Sequence, residues 1–96
     1  MTIIHLKPLI GDFAENKDIA RDIRIKMLTP RVSKGKKVTI DFSGVSGATQ
    51  SFIHALISEL FRIHGNEILS LISFKNCNAT IQKVITIVTE YMQEAE

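Results

Sequence analysis

Tryptophan is absent from the chain, and there are one cysteine, one tyrosine and two prolines. A lone Cys77 cannot close an internal disulfide and has no CxxC partner for zinc, so the reading is a reducing cytosol with Cys77 as packing. No apolar run approaches the roughly 20 residues that cross a bilayer, and the opening residues reach Lys7 before any long apolar stretch develops. No membrane segment and no cleaved leader are expected. Charge of one sign is lacking as well. Twelve Lys and Arg against ten Asp and Glu leave a net +2, too little for strong phosphate neutralisation. The basic cluster Lys26, Arg31, Lys34, Lys36 and Lys37 has no stacking aromatics beside it and reads as a solvated turn, which makes nucleic acid an unfavoured partner. His5, His54 and His64 never stand at HxxxH spacing, so no metal site and no cofactor is expected.

What is present suits one globular domain spanning residues 1–96, with 45% apolar content. Ile4 and Leu6 alternate with Ile3, His5 and Lys7, which predicts an edge strand ended by Pro8. Ile19, Ala20, Ile23, Met27 and Leu28 make a helical stripe capped by Asn16 and stopped by Thr29-Pro30. Val38, Ile40 and Phe42 face opposite to Thr39 and Asp41, predicting a central strand. A second helix buries Phe52, Ile53, Leu56, Ile57, Leu60 and Ile63, and ends at His64-Gly65. Residues 66–69 add a turn. Ile72 and Phe74 alternate with Ser73 and Lys75 in a third strand. A last helix, capped by Asn76 or Asn78, carries Ile81, Val84, Ile85, Val88, Tyr91 and Met92 on its apolar stripe, and Gln93–Glu96 fray.

This β-α-β-α-β-α order predicts an α/β, two-layer domain with a small, mainly parallel sheet. The strand residues assigned to the second face, Ile3, His5, Lys7, Thr39, Asp41, Ser73 and Lys75, are mostly polar, so the helices are expected mainly on one face. The loop at residues 43–51 follows a strand and opens a helix, where ligands and partners tend to meet parallel sheets. Its small residues would let backbone N–H groups approach an anion, but neither GxGxxG nor GxxxxGK[ST] is present and no lysine lies within it. Turn conformations at Gly44 and Gly47, with Thr49 or Ser51 as helix cap, account for the same residues. Asp41, His54 and Ser43 or Ser51 supply the residue types of a hydrolytic triad. The second glycine of Gly44-Val45-Ser46-Gly47, however, comes too early for a GxSxG elbow, and no enzyme is expected.

Asp41-Phe42-Ser43-Gly44-Val45 running into a helix resembles the heart of a STAS domain, the sulfate-transporter and anti-sigma-factor-antagonist fold. With "IARDIRIKML", "TQSF", "ISFKNCN" and "IQKVI", the similarity over residues 15–92 extends to bacterial STAS-like domains of unknown function. In the antagonists the helix entrance reads Asp-Ser-Ser/Thr-Gly and its first serine is phosphorylated. That segment falls on Thr49, Gln50, Ser51 and Phe52, so the phosphoacceptor position holds Gln50, which has no hydroxyl. Ser51 and Thr49 are the phosphorylation candidates that remain. The resemblance implies a non-catalytic cytoplasmic module that docks to a protein partner such as a histidine-kinase-like ATPase. Its contact surface would comprise Ser43, Gly44, Ser46, Thr49, Gln50 and Ser51 of the loop, with His54, Ser58 and Arg62 along the helix. The alternative is an anion- or nucleotide-binding domain using the same loop. A solvated helix face also explains the last three residues, and homo-oligomerisation stays open.

Overall fold

The computed structural model describes residues 2–94. Three strands, β1 (Thr2–His5), β3 (Val38–Asp41) and β5 (Ile72–Lys75), form a wholly parallel sheet in the order β1-β3-β5. The register aligns Ile4, Ile40 and Phe74 in one row, and His5, Asp41 and Lys75 in another. All four residues of β3 are buried, as expected of a central strand. The chain crosses the sheet in one direction, so two crossovers of the same hand place their helices on one face. That face carries Val38, Ile40 and Ile72. On it, α2 (Lys17–Ile23) packs against α4 (Gln50–His64), and α4 against α6 (Ala79–Glu94). The opposite face shows Ile3, His5, Ser73 and Lys75 to solvent, but its central Thr39 and Asp41 are buried, and Lys7 belongs to the helix after β1 and not to the strand.

The caps account for the helix boundaries. Asn16 accepts hydrogen bonds from the amides of Asp18 and Ile19. Thr49 caps α4 through Phe52 N–H at 3.1 Å, and Gly65 closes it with φ +66°. Asn78, not Asn76, caps α6, through Ile81 N–H at 2.9 Å. Asn76 instead adopts a left-handed backbone with φ +58°. After Gly65–Glu67, one short turn, α5 (Ile68–Leu71), leads into β5.

The structure departs from the sequence pattern at several points. Pro8 does not merely end β1: it opens a one-turn helix, α1 (Lys7–Ile10), at a position where the missing N–H costs nothing. Thr29-Pro30 does not stop the first helix. A π turn over Arg24–Leu28 joins Thr29 N–H to the Arg24 carbonyl, and α3 (Thr29–Val32) continues with Pro30 in its first turn. Two further residues pairs, β2 (Phe13–Ala14) and β4 (Gly47–Ala48), make a small parallel ladder, so part of the expected loop is strand. Ile63 and Tyr91, both read as buried, are each 63% exposed, whereas Phe61 is buried. The tail is helical to Glu94; Ala95 and Glu96 lie outside the described residues.

Candidate functional site

Residues 43–49 leave the C-terminal end of the central strand and are held on both sides. Ser43 N–H donates to Asp41 Oδ1 at 2.9 Å, and Val45 N–H to the Phe42 carbonyl at 2.9 Å. The Ser46 amide and hydroxyl both donate to the Asp12 carbonyl, at 2.7 and 2.9 Å, and Thr49 N–H donates to the Ala14 carbonyl at 2.9 Å. Lys7 reaches over Gly44, donating to its carbonyl at 3.2 Å and pairing with the Asp12 carboxylate. From the other side Asn78 Nδ2 donates to the Ser46 carbonyl at 2.7 Å. Four amides that an anion cradle would use are therefore already engaged, and a phosphate entering here would have to displace them.

Two glycines serve different ends. Gly44 has φ +82°, a left-handed conformation that an L side chain resists. Gly47 lies in β4 without positive φ, contrary to the turn role expected of it. It permits a close approach: a Cβ there would lie 2.7 Å from Phe13 Cε1, so the exposed ring would have to swing aside.

The nine surface residues chosen from the sequence divide into three groups. Ser46 and Thr49 use their hydroxyls inside the fold, the first on Asp12 and the second as the α4 cap. Gln50, Ser51 and His54 come together along a groove of about 480 Å³, opposite Ile87, Val88 and Tyr91 of α6 and beside Ala55 and Lys17. Ser43, Gly44, Ser58 and Arg62 stand outside that groove; Ser58 is half-buried and Arg62 pairs with Glu59. Lys17, Ile87 and Tyr91 line the groove without a sequence motif to mark them. Sequence spacing held no signal for Lys17, which is far from the loop in the chain, while Ile87 lay off the apolar stripe and Tyr91 was assigned to the core.

The triad types do not assemble. Asp41 turns to the sheet face away from the helices, where it is buried and its carboxylate accepts from Asn76 Nδ2 at 3.0 Å and from Ser43, and meets His5 Nδ1 at 3.0 Å. His54 is in the groove with α6. Asp41 thus ties together the ends of all three main strands. The Asn76 hydrogen bond, followed by that of Ser43 and then His5, holds its pKa below the ordinary 3.8, against an opposing contribution from burial. Because the folded value is depressed, the stabilisation is present above the unfolded pKa and is lost as pH falls through the folded one. Asp41→Asn is expected to lower the urea midpoint at pH 7 and to flatten its fall below pH 4. An acid limb identical to wild type would refute the role. Nearby, burial and then the Asp41 charge push the Cys77 thiol up, the reverse of what a reactive cysteine needs.

A short parallel sheet with helices on one face, and a strand-loop-helix unit at its centre, defines a STAS-like α/β domain. The chain belongs to the family described as STAS-like domain of unknown function (DUF4325), whose model matches residues 19–82. No curated protein and no solved structure gives a significant match. Among the described residues, no helix is long and apolar enough to cross a membrane.

Proposed function

We propose that this chain is a non-catalytic regulatory module of the bacterial cytoplasm, which docks to a histidine-kinase-like ATPase or similar regulator through the 43–51 loop and α4. One observation carries the reading: residues 43–49 are tied down from both sides by hydrogen bonds, while Ser43, Gln50, Ser51, His54 and Arg62 present side chains outward. A contact surface held in one conformation loses little freedom on binding, which favours recognition by side chains. The engaged loop amides favour this over an anion cradle. Docking without chemistry of its own fits a site where Asp41, bound to His5, stands apart from the groove that holds His54 and Ser51.

The test uses the native chain and whichever histidine-kinase-like ATPase co-purifies with it. Ser51→Glu and Arg62→Glu replace exposed side chains, so the thermal midpoint should stay within a few degrees of wild type. Each is expected to weaken the partner complex about tenfold or more in titration calorimetry. If both variants remain folded and every complex keeps its affinity, this surface is the wrong one.

A further inference from the structure

The groove beside α4 has two walls of different chemistry. Ile87 and Tyr91, one helical turn apart on α6, make the apolar wall and are 48% and 63% exposed. Gln50, Ser51 and His54 of α4, with Lys17 from the start of α2, make the polar one. Among the described residues no carboxylate lines the groove, and Asp18 and Glu90, sequence neighbours of lining residues, stay outside it. Its charge is that of an ammonium with an imidazole nearby. A complementary occupant therefore carries a carboxylate on that side and apolar groups on the other.

The walls also select the occupant's backbone. The α6 wall is a mid-helix surface whose main-chain groups are engaged in their own helix, so an extended segment would find no backbone partners along it; on the other wall only the first-turn amides of Lys17, Gln50 and Ser51 stand outside the intrahelical ladder. A helix brings its own hydrogen bonds. Gln50 with His54, and Ile87 with Tyr91, are i, i+4 pairs that form the ridges between which a third helix seats. A volume of about 480 Å³ takes a few anchoring side chains.

We infer that an amphipathic, acidic helix of a partner protein docks in this groove. Its apolar anchors, one turn apart, lie against Ile87 and Tyr91, and its Asp or Glu side chains face Lys17. The inference rests on the docking reading above and narrows it to the N-terminal half of α4 and to one class of partner segment.

The probe is a display library of amphipathic helices with a constant apolar stripe, whose flanking positions vary among Asp, Glu, Lys and Arg, selected on the full-length chain. The helices recovered are expected to carry carboxylates along one flank. They should bind Tyr91→Ala about tenfold more weakly, and Lys17→Glu should shift selection toward basic flanks. Recovery of no binder, of basic helices, or of binders indifferent to both substitutions overturns the inference. Sedimentation run alongside reads self-association: a dimer that Tyr91→Ala dissociates assigns the face to a second copy and likewise overturns it. Arg62 lies outside the groove and separates the two readings. A partner complex lost with Arg62→Glu but kept with Tyr91→Ala leaves docking through α4 standing and removes the acidic helix.

Discussion

Phe52→Asp is expected to leave the chain unfolded at room temperature. Phe52 is fully buried in the first turn of α4, among Ile53, Leu56 and the rest of the core. Removing a buried phenylalanine costs about 3–5 kcal/mol through lost burial and the cavity left behind. An unpaired carboxylate in its place adds roughly several kcal/mol of desolvation. An aspartate near a helix N-terminus gains only about 1 kcal/mol from the dipole, which does not offset either loss. The total rivals the whole stability of a domain this size, about 5–15 kcal/mol. Far-UV circular dichroism against temperature reads the result. A cooperative transition near the wild-type midpoint would show that α4 does not insert Phe52 into the core. Ser51→Glu, one residue earlier on the exposed side, keeps the fold, so the pair separates folding from docking.

Deleting residues 1–15 should have an effect of comparable size, although the family match begins only at residue 19. The deletion removes β1, which pairs with β3 from Thr2 to His5, and with it the buried Ile4 and Leu6. Loss of large buried aliphatic side chains costs about 2–5 kcal/mol each. It also exposes the edge of the central strand, takes His5 from Asp41, and strips Lys7, Asp12 and Ala14 from the loop they hold. The shortened chain is expected to lose cooperative unfolding, and amide exchange at residues 43–49 should rise to the level of an open loop. A sharp transition with slow exchange at Ser46 and Thr49 would mean that the loop is held from within α4 and α6 alone.

The departures from the sequence pattern share a physical cause. By spacing the apolar stripe of α4 runs from Leu60 to Ile63, but the buried set turns instead through Ile57 to Phe61. A helical stripe is broad, and which of its margins is covered depends on where the neighbouring helix crosses. Tyr91 fell on the margin of α6 for the same reason, and emerged as a wall of the groove. Thr29-Pro30 signals a stop in any ordinary helix; a π turn, invisible to apolar periodicity, moved the hydrogen-bond register so that Pro30 fell in a first turn. Gly47 looked like a turn residue because nothing in its local sequence announces the Phe13 ring that lies over it.

Local pattern determined what each segment is. The strand over Val38–Asp41, the cap at Asn16 and the stop at Gly65 were legible, and the caps of α4 and α6 were each narrowed to two residues, because such signals arise from interactions within a few residues. Tertiary structure alone decided which distant groups meet. It brought Lys17, Ser51, His54 and Tyr91 to one groove, and Asp12 and Lys7 to the loop, and it closed His5, Asp41 and Asn76 into one cluster. These encounters depend on strand order and helix crossing, which are set by the packing of the whole core and not by the spacing of residues along any one segment.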